Sequence, residues 1–191
     1  MDKGRLEAFS DGVIAVIITI MVLELKVPQG TDWAALRPLL PVFLTYLQSF
    51  IYVGIYWNNH HHMLQACQKV NGRVLWANLH LLFWMSLVPV VTGWMGANHN
   101  AALPVALYGV VLLMTGIAYT ILARELVALH GQNSPLGIAL GRDDKGKLSL
   151  ALYSVAIGLS FVNTRLAVAL YVGVAIMWIV PDPRIEKRIA E

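Results

Sequence analysis

The stretch that decides the fold is Arg5-Leu6-Glu7-Ala8-Phe9-Ser10-Asp11-Gly12, which runs without a break into residues 13–23, an apolar segment interrupted by Thr19 alone. Residues 6–25 are long enough to cross a bilayer, which takes about 20 mostly apolar residues. Pro28-Gln29-Gly30 closes the segment. A membrane helix here carries Arg5, Glu7 and Asp11 within its first two turns. Ionisable groups at that depth are costly and tend to be kept for a pathway or a fixed polar network. A cleaved leader also has a short basic start and an apolar core. In this chain, however, Asp2, Glu7 and Asp11 precede the core, and Glu24-Leu25-Lys26-Val27-Pro28 stands where a small-residue cleavage site belongs. The segment reads as a retained first membrane helix.

Composition agrees. Of 191 residues, 58% are hydrophobic and 13% charged, whereas a soluble domain carries roughly 25% charge. The mean hydropathy is +0.63. These values predict an all-α integral membrane protein. Cys67 is the one cysteine, which excludes an intrachain disulfide. The net charge of +3 comes from basic residues spaced between apolar segments. It therefore reports topology and gives no sign of a nucleic-acid partner.

Six spans are expected, over residues 6–25, 39–59, 74–95, 102–123, 148–163 and 166–180. Pro89 and Gly93 allow a kink near the far end of the third, and Arg124-Glu125 is expected to stop the fourth. Residues 130–147 read as a polar loop. The apolar run 148–180 would measure roughly 50 Å as one helix at 1.5 Å per residue, too long for a hydrocarbon core of about 30 Å. Asn163-Thr164-Arg165 divides it into a hairpin of two short helices. With both termini cytoplasmic, Lys26, Arg37 and Arg165 lie outside, and the other 11 of the 14 Lys and Arg residues lie inside. That bias follows the positive-inside rule. The whole chain, 1–191, reads as a single transmembrane domain.

Several residue groups are candidates for chemistry. At about 100° per residue, Val16, Ile20 and Leu23 share one face of the first helix, flanked by Gly12 and Thr19. That stripe is either an ordinary packing face or a lining. The polar head of the same helix needs partners. Tyr56-Trp57-Asn58-Asn59-His60-His61-His62 ends the second span, and Asn78 and His80 start the third, all on the cytoplasmic side. Asp11 beside an imidazole would lower the cost of burying either group. The three consecutive histidines invite a metal reading. Neighbours on a helix point about 100° apart, so they do not converge on one ion, and no metal site is expected. Tyr52-Val53-Gly54-Ile55-Tyr56 and Tyr171-Val172-Gly173 echo a potassium-channel filter, but each lies inside an apolar helix and is taken as coincidence. Phosphate-binding glycine loops, nucleophile elbows and paired carboxylates are absent from the sequence, and no enzyme or cofactor is expected.

Arg5-xxx-Phe9-Ser10-Asp11-Gly12, followed by an Ile/Val/Thr helix ending Val22-Leu23-Glu24-Leu25, resembles the hallmark of the endolysosomal potassium-channel family and its prokaryotic homologues. Tyr56-Trp57-Asn58-Asn59-His60-His61 resembles that family's second-helix motif, and Pro89 fits its third helix. The specific motifs lie in the first half of the chain, and the second half matches in length and hydropathy. The resemblance implies a homotetramer of six-span subunits in a lipid bilayer, selective for potassium ions without the usual filter loop. Four copies of the first helix would line the pore. On this chain the implied constriction is Val16, Ile20 and Leu23, with Thr19 as the selectivity layer. Arg5, Phe9, Ser10, Asp11, Trp57, His60 and Asn78 form the implied structural network. Val16 departs from the pattern, being smaller than the isoleucine or leucine expected at the innermost ring, which leaves the narrowest layer open between it, Ile20 and Leu23.

The expectation is thus a potassium channel of a prokaryotic plasma membrane. The rival reading is a proton-coupled or proton-conducting secondary transporter that uses Asp11 and a histidine as a relay. A histidine-rich membrane metalloenzyme is the weaker rival.

Overall fold

A computed structural model describes residues 3–140 and 143–179. Among them there is no strand. The helices are α1 (Lys3–Leu23), α2 (Leu40–Gln65), α3 (Gly72–Ser86), α4 (Val88–Ala97), α5 (Ala102–His130), α6 (Pro135–Leu140), α7 (Asp144–Leu159) and α8 (Thr164–Ile179), with a 3-10 turn over Trp33–Leu39 before α2. Four stretches are long and apolar enough to cross a membrane, and these are α1, the 3-10 turn with α2, α3 with α4, and α5. The α7–α8 pair is a hairpin of 16-residue helices.

Local chemistry sets these boundaries. Asn71 caps α3 by accepting from Val74 N at 3.0 Å, and Asp143 caps α7 by accepting from Gly146 N at 2.8 Å. Asn163 Oδ1 accepts from Arg165 N and Leu166 N, so the Asn-Thr-Arg break is the cap that starts α8. Pro89 has no N–H, and the helix is interrupted at Leu87 between α3 and α4.

Two boundaries differ from the sequence reading. Arg124-Glu125 does not stop the fourth segment, because α5 runs on to His130. The second segment likewise continues past residue 59, to Gln65. Hydropathy marks where a helix leaves the apolar layer, and a charged side chain there does not break the backbone. The loop 130–147 contains the short α6. The expected end of the last span, residue 180, lies outside the described residues.

One connected core is built from all the long helices. The α3–α5, α5–α7 and α2–α4 pairs make its most extensive contacts, and α1 packs on α2, α3 and α4. Buried hydroxyls tie the bundle together. Tyr108 Oη lies 3.0 Å from Ser49 Oγ, which lies 2.7 Å from Thr92 Oγ1. Tyr52 donates to the Tyr171 carbonyl, and Tyr171 donates to Val105 O at 3.2 Å. Gly109 lets Tyr171 approach α5, because a Cβ there would collide with the Tyr171 hydroxyl and Ile157. Gly109→Ala is therefore expected to lower stability by about 1–3 kcal/mol through overpacking. A melting curve of purified protein checks this, and an unchanged midpoint would mean that the tyrosine moves freely.

Candidate functional site: the first helix and its polar anchor

The first helix divides into two faces. Leu6, Ser10, Ile14, Ile17 and Met21 are buried against the bundle. Val16, Thr19, Ile20 and Leu23 are exposed, with Leu23 at 79%. Phe9 and Gly12 continue the exposed arc towards the N-terminal end. The four residues singled out in the sequence thus lie on the side of α1 that its own bundle leaves uncovered. A groove of about 610 Å³ runs along this side, lined by Phe9, Gly12, Val16 and Ile20 from α1 and by Pro89 and Val90 from α4.

Thr19 has a specific orientation. Its hydroxyl donates to Val16 O at 2.9 Å. The hydrogen is committed to the helix backbone, so the oxygen lone pairs remain free on the exposed side. Such an oxygen can act as an acceptor towards whatever meets this face.

The base of α1 is anchored by a buried polar chain through three helices. His60 Nε2 lies 2.7 Å from Asn78 Oδ1, an atom that can only accept, so the imidazole donates. Asn78 Nδ2 donates to Ser10 Oγ at 2.9 Å, and Ser10 donates to Leu6 O at 2.8 Å. All three side chains are at most 1% exposed. The chain runs in one donor direction, from α2 through α3 to a backbone carbonyl of α1.

Asp11 takes a separate partner. Its Oδ1 accepts from Trp57 Nε1 at 3.0 Å, at the partly exposed edge of the α1–α2 contact. Among the described residues, Asp11 makes no direct hydrogen bond or ion pair with Arg5 or with a histidine. Arg5 and Phe9 are exposed, and the ion pair at this end, among the described residues, is Lys3 with Glu7 at 3.5 Å. His61 stacks on Trp57, and Trp84 donates to His80 within α3. Among the described residues, no three histidine, cysteine or acidic side chains converge as a metal site would require.

Sequence reasoning missed two contacts. Glu24, just past Leu23, rests its carboxylate against Gly93, where any Cβ would lie 2.8 Å from Glu24 Oε2. Lys3 Nζ donates to Gln65 O at 3.2 Å, tying the start of α1 to the end of α2. Neither was legible, because each joins groups far apart in the chain without a charge or period to signal it.

A bundle of long apolar helices with one helix face left open belongs to the class of multi-pass α-helical membrane proteins. The profile described as "Endosomal/lysosomal potassium channel TMEM175" matches residues 5–89. A protein of Chryseobacterium sp. (strain P1-3) named as a potassium channel is 56% identical over 191 residues, covering all of both chains. The solved structure of a lysosomal potassium-selective channel TMEM175 homolog from Chamaesiphon minutus superposes with a TM-score of 0.79 at 28% identity, over 93% of this chain and 96% of that one. A mouse relative named as an endosomal/lysosomal proton channel is 32% identical over 102 residues, which is 47% of this chain and 20% of that protein. The chain belongs to the TMEM175 family. That family consists of ion channels and not enzymes.

Proposed function

We propose that this chain is one subunit of a homotetrameric, potassium-preferring channel in a prokaryotic plasma membrane. In this reading the whole chain is one transmembrane domain of six spans with both termini cytoplasmic, α7 and α8 supplying the short fifth and sixth. Four copies of α1 surround the pore. Val16, Ile20 and Leu23 form apolar constriction rings, and Thr19 forms the hydroxyl layer. Arg5, Phe9, Ser10, Asp11, Trp57, His60 and Asn78 hold the pore helix at its base.

The observation that carries this reading is the two-faced α1. Its buried face satisfies the subunit's own core, and the exposed face puts Val16, Thr19, Ile20 and Leu23 in line. Hydrated potassium does not wet such an apolar passage readily, so dilation or partial dehydration would set conduction. The potassium-channel names of bacterial relatives support the choice of ion. Reconstitution with opposed potassium and sodium gradients tests it, a reversal potential near the potassium value being expected and one near zero counting against it.

The proton reading has support in the name of the mouse relative. On this chain, however, Asp11 bonds to Trp57 and His60 bonds to Asn78. A relay between Asp11 and a histidine thus has no direct bond to run through. Current that follows a pH gradient in the absence of potassium would favour this reading instead.

Thr19→Val is expected to keep assembly intact and to move the reversal potential towards the sodium value, because the shape is retained and the four outward oxygens are lost. An unchanged reversal potential would place Thr19 on a packing face.

A further inference from the structure

The turn between α2 and α3 is held by His130, the last residue of α5. His130 Nε2 accepts two backbone hydrogens, from Gln68 N at 3.1 Å and Lys69 N at 3.3 Å. Its other ring nitrogen, Nδ1, lies 2.9 Å from Leu126 O. A carbonyl accepts only, so Nδ1 carries the hydrogen and Nε2 is the bare acceptor. The contacts fix both the tautomer and the neutral state. Protonation would set an Nε2–H against two amide N–H groups, and the turn would lose its hold on α5.

That same turn lies between two of the attachments of the pore helix. On its α2 side, Gln65 O receives Lys3 Nζ of α1. On its α3 side, Asn71 caps the helix that carries Asn78, the donor to Ser10 of α1. Residues 66–71 are thus flanked by two bonds to α1 and are clamped at their centre by His130.

We propose that His130 is a positioning residue for the pore helix and the point at which protons from the cytoplasm act on it. The sidedness rests on the topology proposed above, and the latch itself rests only on the three bonds.

The charged and titratable groups towards the ends of the elements that meet here are His60, His61 and His62 on α2, Cys67 and Lys69 on the turn, Arg73 on α3, Lys3, Arg5 and Glu7 on α1, and Arg124 and Glu125 on α5. Among the described residues, none of their side chains is hydrogen bonded to the imidazole. Burial pushes the Cys67 thiol up to about 11, so it stays protonated through the range concerned. His60, His61 and His62 are the same in both proteins of the comparison below, which therefore separates them from His130.

The sign follows from the acceptor role. The closed latch binds no proton at Nε2, and the released turn binds one. Stability therefore rises with pH wherever the released turn binds the proton that the closed latch excludes. One proton limits the effect to about tenfold in latch opening per pH unit.

The test compares wild type with His130→Gln, whose amide oxygen accepts the two N–H groups and does not titrate. In bilayers with pH changed on the side of the termini, wild-type potassium current is expected to fall between pH 7.5 and 5.5, by at most about tenfold per pH unit. The His130→Gln current should stay flat over that range, apart from any slope shared by both proteins. In parallel, nitrogen-15 spectra of histidine-labelled wild type should show His130 at neutral pH with Nδ1 protonated and Nε2 bare, the signal being assigned by its loss in the variant. Identical pH profiles for the two proteins overturn the proposal, as does an Nε2-protonated tautomer. If the protein carries no potassium current, the channel reading fails, while the spectra and the pH dependence of melting in the two proteins still decide the latch.

Discussion

Asn78→Ala is expected to cost about 2–4 kcal/mol and to leave little folded protein in detergent. The substitution removes both ends of an amide that bridges α2 and α1. His60, 1% exposed, then keeps a buried ring N–H with no acceptor. Orphaning a buried polar group costs about 1–3 kcal/mol, and the void left by the amide adds about 1 kcal/mol. Ordinary hydrogen bonds between membrane helices average nearer 0.6 kcal/mol, so the orphaned imidazole and not the lost bond dominates. Ser10→Ala should cost less, because Asn78 loses one partner while the helix carbonyl Leu6 O regains ordinary α-helical surroundings. Asp11→Ala should also be mild, about 1 kcal/mol, since its bond to Trp57 lies at a partly exposed edge where the indole can turn to water. Thermal melts of the three variants check the order. If Asn78→Ala melts with wild type while Asp11→Ala collapses, the anchor of α1 runs through the aspartate and the buried chain is incidental.

The sequence suggested Asp11 beside an imidazole, whereas Asp11 bonds to Trp57 and His60 bonds to Asn78, and the difference is geometric. Depth was legible, because positive-inside charge bias and span length put Ser10, Asp11, His60 and Asn78 at one level. Direction was not. Ser10 and Asp11 are adjacent and so point about 100° apart on a helix. One faces the α2–α3 seam and the other faces the side of α2. Which of them meets the histidine depends on how α1 is rotated in the bundle, and a nearly uniform Ile/Val/Leu helix carries too little asymmetry to show that. Phe9 and Arg5 are part of the same motif, yet within one subunit they stay exposed. Helix ends were misjudged for a different reason, since hydropathy reads apolar content and α5 continues as a helix through Arg124-Glu125 to His130. The break between α7 and α8 was legible from length together with the polar Asn163-Thr164-Arg165, because about 33 apolar residues as one straight helix exceed a single crossing.

Ile20→Asn is expected to raise conductance, with sodium gaining more than potassium. Ile20 sits near the middle of the exposed face, one turn beyond Val16 and one turn before Leu23, and it is 44% exposed in the subunit. Four isoleucines meeting on an axis would leave an opening too narrow and too apolar to hold stable water, so an ion must shed part of its shell to pass. An amide at that ring supplies hydrogen-bonding partners for water and lets the passage wet. A reduction of about 1.4 kcal/mol in the barrier would raise the passage rate roughly tenfold. Sodium holds its water more tightly than potassium, so it gains more when the ion can keep that water. Leu23→Asn should act in the same direction. Ile17→Asn is the contrasting change, because Ile17 is 4% exposed and packs in the core. An amide there lacks a partner, at a cost of about 1–3 kcal/mol, so it should impair folding without opening the pore. Single-channel conductance in potassium and in sodium, together with the yield of assembled protein, separates these outcomes. Were Ile20→Asn and Leu23→Asn both to lower current while Ile17→Asn raised it, the lining would lie on the face of α1 that this fold buries. The exposed arc with Val16, Thr19 and Leu23 would then be a surface for lipid.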